Sequence, residues 1–169
     1  MLRRSLLTSA IAASLLTTFS LPAFATQVYE TDLVIIGGGL SGLAAAQSAV
    51  DQGAKPIVLE KEAALGGGGN FPEGSLGVGT RYQKEHNINT TVDQVLTAAL
   101  QYHHYRADPH VLRVLIEESG KTIDWVMDKG AQMRGIRTMY PKDESLMTWH
   151  LFKGGAAGII QRFAKEVRA

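Results

Sequence analysis

Residues 32–42 read Asp-Leu-Val-Ile-Ile-Gly-Gly-Gly-Leu-Ser-Gly, and this stretch decides the fold. Its first half is a short apolar, largely β-branched run bounded by glycines, which is typical of a strand buried on both faces. A helical pattern from about Leu40 to Gln52 follows and ends at Gly53. Residues 55–59 predict a second buried strand. Strand, tight turn, helix and parallel strand within about 30 residues form a βαβ unit, so the sequence predicts an α/β, Rossmann-like fold.

The glycines of this stretch have the spacing G-x-G-x-x-G, at Gly37, Gly39 and Gly42. Gly37 permits the tight turn out of the strand, Gly39 lets a pyrophosphate approach the backbone, and Gly42 lets helix and strand pack closely. The phosphates would lie at free N–H groups and at the positive end of the helix dipole. Glu60 ends the second strand, where its carboxylate can accept hydrogen bonds from a ribose diol. The context of the glycines therefore predicts a dinucleotide site.

The composition excludes several other classes of function. The chain has 169 residues, 45% hydrophobic and 20% charged, with 17 Lys+Arg against 16 Asp+Glu, which gives no basic footprint for nucleic acid. Without cysteine there is no disulfide framework, thiolate nucleophile or zinc–thiolate site, and the five histidines show no metal-ligand spacing. Glycine is the informative residue, because 12 of the 18 glycines fall between positions 37 and 79.

A second glycine cluster lies in residues 62–80, which lack both helical and strand periodicity and are predicted to be a loop. Loops of this length inside a compact domain are usually functional. The first glycine motif does not distinguish NAD from FAD, because both cofactors present the same adenosine diphosphate half. A second glycine-rich backbone segment just after the ribose carboxylate has no obvious use in a nicotinamide enzyme and a clear use in an FAD enzyme.

Three segments resemble the flavoprotein family of fumarate reductases and succinate dehydrogenases, in particular its soluble flavocytochrome-like and urocanate-reductase-like branch. They are residues 32–42, 58–61 and 66–79, with softer matches at 107–109 and 122–125. The resemblance implies bound FAD, with the loop near Gly67 to Gly74 along the pyrophosphate and flavin. The residues implied to bind it are Gly37, Gly39, Leu40, Ser41, Gly42, Glu60, Lys61, Gly67, Gly68, Gly69, Asn70 and Gly74.

Two departures from the family pattern bear on the cofactor. The family usually has Gly-Gly-Asn-Ser/Thr where this chain has four glycines at 66–69, so either a side-chain hydrogen bond is missing or Asn70 is shifted to supply it. The branch with covalent flavin carries a histidine in this loop. None occurs between Gly66 and Gly79, so FAD is expected to be noncovalent.

The remainder of the chain predicts mostly helices. We expect a helix over 91–105 capped by Thr90, one over 109–119 capped by Asp108 and ended by Gly120, one over 121–129, and one over 156–167. Residues 133–151 are ambiguous and hold one or two short strands. His103 and His104 point about 100° apart on a helix and are expected at the surface. Trp125 is expected in the core. A solvated helical face is expected for Glu117, Glu118, Asp124 and Asp128.

Residues 1–25 have the pattern of a secretory signal peptide: a basic start, an apolar stretch, and Ala-Phe-Ala before the cleavage point after Ala25. The alternative is a membrane anchor, but serines, threonines and Pro22 make the stretch weak and short for a span. Arg3 and Arg4 loosely fit a twin-arginine signal, so both export routes stay open. Residues 26–169 are therefore expected to be exported, to the bacterial periplasm.

Members of the resembled family are far longer than this chain. Their capping domain and later FAD segment supply the substrate-binding and proton-delivering residues, so no catalytic residue is expected here. Residues 26–169 are interpreted as the N-terminal part of an FAD-binding domain, truncated before the remaining strands and the capping domain. Two parallel strands alone would leave an unpaired edge and uncovered apolar surface.

The resemblance implies a reaction of the complete enzyme, in which hydride passes from the flavin to the C=C bond of a fumarate- or urocanate-like organic acid. A cytochrome or a reduced flavin carrier is the implied redox donor. Two alternatives stay open: a noncatalytic flavin- or nucleotide-binding module, and an NAD(P)-dependent dehydrogenase.

Overall fold

The computed structural model describes residues 27–139 and 145–167. The chain divides into two compact units, Met1–Glu30 and Thr31–Ala169, and the helices and strands given below lie in the second. In the described part of the first unit, the Tyr29 hydroxyl donates to Gln27 Oε1 over 2.7 Å. The predicted signal peptide, residues 1–25, lies outside the described residues.

The predicted βαβ unit is present. It consists of β1 (Leu33–Ile36), α1 (Leu40–Asp51) and β2 (Pro56–Leu59), and the two strands pair in parallel. The expectation that both strands are buried on both faces is wrong, because Ile36 of β1 is 88% exposed and Leu59 of β2 is 53% exposed. In the described part of the chain this sheet has two strands. Much of its apolar surface is therefore uncovered, as expected for so small a sheet.

A second sheet is antiparallel and consists of β3 (Gly74–Leu76), β4 (Met133–Thr138) and β5 (Met147–Phe152) in the order β3-β5-β4. The ambiguous region 133–151 thus contains two strands. The prediction that 62–80 is one loop is wrong, since β3 lies within it and a 3-10 turn covers Gly67–Asn70. A three-residue strand that begins with glycine shows no alternation of polar and apolar residues, so its sequence does not reveal it.

Four further helices are α2 (Arg81–Glu85), α3 (Val92–Tyr102), α4 (Pro109–Asp128) and α5 (Gly155–Val167). The short α2 was not predicted. The N-cap of α3 is Thr91 rather than Thr90, because Thr91 forms a capping box with Gln94. The helix also ends earlier than predicted, since His104 and Tyr105 have positive φ values of 52° and 57°.

The prediction that Gly120 ends a helix is wrong. Gly120 lies inside the continuous helix α4. A Cβ at this position would lie 2.1 Å from the carbonyl oxygen of Val78. Glycine is therefore required here by the close approach of the chain that follows β3, and not by a helix terminus. The predicted cap of α4 is confirmed, because the carboxylate of Asp108 accepts hydrogen bonds from His110 N and Val111 N.

Two apolar clusters form the core of the second unit. One joins α1, α4 and α5 through Leu43, Ile123 and Phe163, and the other joins α3 and α4 through Val95 and Ile116. Trp125 packs against the first cluster, with its ring centroid 5.2 Å from that of Phe163, which confirms its predicted core position. Among residues 27–139 and 145–167, no helix has the length and apolar character needed to cross a membrane.

Candidate nucleotide-binding site

The turn between β1 and α1 can be built only with glycine at two positions. Gly37 has φ +101°, and its N–H donates to Leu59 O over 2.8 Å, which joins the turn to the end of β2. A Cβ at Gly42 would lie 1.9 Å from the carbonyl oxygen of Gly37. The first and third glycines of the motif are thus required by the backbone itself, as the sequence predicted.

Gly39 has a different environment. It is the N-cap of α1, with an extended backbone, and it forms no side-chain capping hydrogen bond. A Cβ built there would have one neighbour within 4 Å, Gly66 O at 3.9 Å, so the protein leaves the space over this residue open. The N–H groups of Leu40, Ser41 and Gly42 have no acceptor within the helix, and no acidic side chain lies in its first turn. This open, uncapped helix N-terminus fits an anionic phosphate group.

The carboxylate of Glu60 lies beside this helix N-terminus. Its Oε2 accepts a hydrogen bond from Gly38 N over 2.6 Å, and its Oε1 accepts one from Glu62 N over 2.9 Å. These backbone donors, the Glu62 N–H first, lower the pKa of Glu60 below its ordinary value. The group is therefore ionised at neutral pH. Each oxygen keeps a second lone pair, which leaves room for the hydroxyl donors of a ribose.

The first part of the second glycine cluster packs directly against this turn. Gly66 N donates to Gly38 O over 2.8 Å. Asn70 Nδ2 donates to Leu65 O and Gly67 O over 3.0 and 3.3 Å, so its side chain closes the 3-10 turn locally. A Cβ at Gly66, which has φ +106°, would lie 2.6 Å from Asn70 Oδ1. The positive φ therefore favours glycine at position 66, and the amide of Asn70 occupies the space that a side chain there would need.

Two residues of the 3-10 turn lie open, and a third contacts α1. Nothing lies within 4 Å of a Cβ built at Gly67 or Gly68, whereas a Cβ at Gly69 would lie 3.0 Å from Leu40 Cβ. Lys61 is exposed and pairs with Glu62 over 3.1 Å. The structure therefore brings most of the sequence-predicted site residues to one place, around the N-terminus of α1. We refer to residues 37–42, Glu60 and 66–70 as the cradle.

Gly74 is the first residue of β3, four residues after Asn70. It is buried, and a Cβ there would lie 2.1 Å from His150 O in the neighbouring strand. A Cβ at Gly77 would lie 2.8 Å from His150 Nδ1. Protein packing thus accounts for glycine at both positions, and a cofactor contact of Gly74 stays a prediction.

A cavity of about 580 Å³ opens beside the cradle, between the segment after Glu60 and helix α5. Its wall includes Leu65, whose side chain also lies against Gly38. Sequence reasoning missed this cavity because half of its wall comes from a helix about a hundred residues further along the chain. Its lining residues are Ala63, Ala64, Leu65, Asn70, Ile160, Gln161, Ala164 and Lys165.

A buried polar network around His150 was also missed. His150 is fully buried; its Nδ1 lies 3.0 Å from Thr148 O and its Nε2 lies 2.9 Å from Thr80 Oγ1. A carbonyl only accepts, so Nδ1 carries the proton and Nε2 accepts from the Thr80 hydroxyl. Thr80 also caps α2 in a capping box with Gln83, and Gln83 Nε2 donates to Met147 O over 2.7 Å. The network therefore joins β5 to the segment that follows β3.

The other polar predictions have mixed outcomes. His103 and His104 are exposed, as predicted. The expectation that Asp124 belongs to a solvated face is wrong, because its partly buried carboxylate accepts from Arg81 N over 3.1 Å. Asp128 pairs with the Arg81 side chain. Both carboxylates thus bind the first residue of α2. Within residues 27–139 and 145–167 no group of three or more His, Asp and Glu side chains could hold a metal ion.

Comparison with known proteins agrees with this geometry. A family model described as "FAD binding domain" matches residues 32–159. Among curated proteins, a vinyl phenol reductase of Lactiplantibacillus plantarum is 35% identical over 129 residues, which are 76% of this chain and 26% of that protein. A fumarate reductase (cytochrome) of Shewanella frigidimarina is 31% identical over 119 residues, 69% of this chain and 21% of that protein. The chain thus spans about a quarter or less of the length of these relatives.

Solved structures show the same fold. The open conformation of a flavocytochrome c3 fumarate reductase aligns with a TM-score of 0.68 at 21% identity, over 96% of this chain and 27% of that chain. A 3-ketosteroid dehydrogenase from Rhodococcus jostii aligns with a TM-score of 0.66 at 20% identity, over 88% of this chain and 38% of that chain. At this identity the likeness establishes the fold, and the chain aligns with part of each larger enzyme.

Proposed function

We propose that this chain, which belongs to the FAD binding domain family, is the FAD-binding portion of an oxidoreductase. The complete enzyme would reduce the C=C bond of an unsaturated organic acid. The observation that carries the cofactor assignment is the N-terminus of α1. It combines an uncapped helix end, open space over Gly39 and the ionised carboxylate of Glu60. An anionic pyrophosphate next to a ribose fits these three features together.

Different residues of the cradle would bind different parts of FAD. The N–H groups of Leu40, Ser41 and Gly42 would donate to the pyrophosphate, and Glu60 would accept from the hydroxyl groups of the adenosine ribose. Gly67 and Gly68 offer backbone that no side chain covers. The cavity lined by Leu65 and Asn70 adds a partly apolar wall beside the 3-10 turn. Because no histidine occurs between Gly66 and Gly79, we propose that FAD is held without a covalent bond.

The reaction is supported by the relatives rather than by a catalytic residue of this chain. Proteins named vinyl phenol reductase, fumarate reductase and acrylate reductase flavoprotein subunit match most of its length. Bound FAD would supply the hydride for such a reduction. The family match favours FAD over NAD(P), and a noncatalytic flavin-binding module stays the second candidate. One relative is named fumarate reductase (cytochrome), which supports a cytochrome as redox donor.

Export is a separate proposal that the N-terminal pattern supports. A basic start, an apolar stretch and Ala-Phe-Ala before residue 26 are the features that signal peptidases recognise. Production of the whole chain in a bacterium, followed by mass measurement of the periplasmic fraction, should give a protein that begins at Thr26. A full-length mass confined to the cytosol would contradict this proposal.

Binding of the cofactor can be tested by isothermal titration of the 169-residue chain with FAD, ADP and NADH. The proposal expects FAD and ADP to bind and FAD to bind more tightly than NADH. Gly39→Ala places a methyl group where the pyrophosphate would approach, but this methyl group meets no protein atom closer than 3.9 Å. We therefore expect it to weaken the binding of FAD and of ADP by at least tenfold, while the free energy of unfolding falls by about 1 kcal/mol or less because alanine is a poorer N-cap than glycine.

A matched control is Gly135→Ala, which adds the same methyl group in β4, where nothing lies within 4 Å. It should bind FAD and ADP as the unchanged chain does. Equal binding by Gly39→Ala and Gly135→Ala would contradict the placement of the pyrophosphate at α1.

A further inference from the structure

One aromatic side chain beside the cradle is almost fully in water. Phe71 follows the 3-10 turn directly and is 86% exposed. Its neighbours in the chain are anchored, since Ala156 N donates to Pro72 O over 2.9 Å and Phe152 N donates to Glu73 O over 3.2 Å. The backbone after Phe71 is therefore fixed against β5 and α5, and it holds the ring on the outside of the protein.

Phe71 differs from the exposed apolar side chains of the first sheet and of α4. Those of β1 and β2 belong to a sheet whose face is uncovered, and those of α4 form one stripe along a helix. They are Leu33, Val34, Ile36 and Leu59 in the sheet, and Val111, Val114 and Leu115 on the helix. Phe71 follows Asn70 at the end of the 3-10 turn and belongs to neither of these two surfaces. Its exposure is therefore not part of either apolar face.

The position of Phe71 relative to the cradle is fixed by its neighbour Gly69. A Cβ at Gly69 would lie 3.0 Å from Leu40 Cβ and 3.6 Å from Leu40 N, so this turn touches the first residue of α1. Phe71 follows two residues later, which places its Cα within about 7 Å of the Cα of Gly69. Glu60 approaches the same helix end through Gly38, on the chain before the N-cap. Phe71 therefore follows a turn that contacts the first residue of α1, whereas Glu60 contacts the chain just before the N-cap.

We propose that Phe71 is a stacking contact for the isoalloxazine ring of FAD. The inference rests on the proposed function, because it takes the pyrophosphate to lie at α1 and the adenosine ribose at Glu60. The other half of the cofactor then leaves the helix end away from Glu60, and a flat aromatic ring is the group that an exposed phenyl ring binds best. Removal of an aromatic side chain that stacks on a heterocyclic base typically weakens binding by about tenfold or more.

The test compares three forms of the 169-residue chain: unchanged, Phe71→Ala and Phe71→Tyr. Each is titrated with FAD and, separately, with ADP, which lacks the isoalloxazine ring. We expect Phe71→Ala to lower the affinity for FAD about tenfold. The affinity of Phe71→Tyr should stay within about twofold of that of the unchanged chain, because tyrosine keeps the aromatic ring. ADP should bind equally to all three. The visible circular dichroism of bound FAD should change in Phe71→Ala and be kept in Phe71→Tyr.

The control is Tyr105→Ala, which removes another exposed aromatic ring, 70% accessible, from the end of α3. It should leave FAD and ADP affinity unchanged. If Phe71→Ala binds FAD as tightly as the unchanged chain does, the isoalloxazine contact is wrong. It is also wrong if the affinity for ADP falls as much as the affinity for FAD. In both cases the proposed function stands. If the unchanged chain binds neither FAD nor ADP, the proposed function is wrong and this inference falls with it.

Discussion

The cradle and the segment 74–79 are both rich in glycine, but the glycines serve different purposes. At Gly39, Gly67 and Gly68 a Cβ would meet no protein atom closer than 3.9 Å. At Gly74 and Gly77 it would lie 2.1 to 2.8 Å from atoms of His150. The first group leaves space that a ligand can enter, and the second leaves space that another strand already fills. Glycine content alone therefore does not mark a cofactor site; the neighbour of the missing side chain does.

Gly74→Ala should have the largest effect on folding. The added methyl group would lie 2.1 Å from His150 O, and both partners are backbone in paired strands, so neither can move away cheaply. Overpacking of this kind costs about 3 kcal/mol or somewhat less. We expect the midpoint of chemical denaturation to fall accordingly. A change below about 0.5 kcal/mol would show that β3 does not pair with β5 as described.

The buried imidazole of the same region predicts a dependence of stability on pH. Burial lowers the pKa of His150 below its ordinary value of 6.5. As the pH falls below 6.5 the unfolded chain binds a proton that the native chain does not, so the free energy of unfolding decreases. This contribution is complete above 6.5 and is lost toward the lower pKa of the native state, by at most about 1.4 kcal/mol per pH unit.

Denaturant titrations between pH 7 and pH 5 measure this slope. His150→Gln keeps an acceptor for the Thr80 hydroxyl and removes the titrating group, so its stability should depend less on pH in this range. The same slope in both proteins would contradict the assignment of the effect to His150.

Asn70→Ala changes a residue of the cradle, and its effect on stability should be intermediate. It removes two donors to the backbone of the 3-10 turn, to Leu65 O and Gly67 O. Exposed hydrogen bonds of this kind contribute about 0.5 to 1.5 kcal/mol each at most. We expect a small loss of stability and a several-fold loss of FAD affinity by titration, because the turn is less well ordered before binding. Unchanged FAD affinity would show that the turn does not take part in binding.

Gly68→Ala should have the smallest effect on stability, within about 0.5 kcal/mol, because the new methyl group meets nothing. It should nevertheless weaken FAD if the cofactor lies over this backbone. The melting temperature of Gly68→Ala should therefore lie well above that of Gly74→Ala, which would separate the open glycines from the packed ones. Similar losses of melting temperature in both variants would contradict it.

The sequence predicted the βαβ unit and the cradle because local patterns define both. An apolar run, a glycine motif and an acid at the next strand end lie within residues 32–60, and the structure joins them as expected. Strand β3 and the network of His150 depend on partners about 70 residues apart, such as Thr80 and His150. No local pattern reports such pairings. Gly120 was misjudged for the same reason, since its neighbour is the carbonyl of Val78.

We propose that FAD lies on the cradle, with its pyrophosphate at the N-terminus of α1. Backbone amide signals of the ¹⁵N-labelled chain, followed by NMR during addition of FAD, test it most directly. We expect large shifts at Leu40, Ser41 and Gly42 and at the open glycines 67 and 68, with Gly135 of β4 nearly unmoved. Unchanged signals of these five amides at saturating FAD, or shifts at Gly135 as large as theirs, would contradict it.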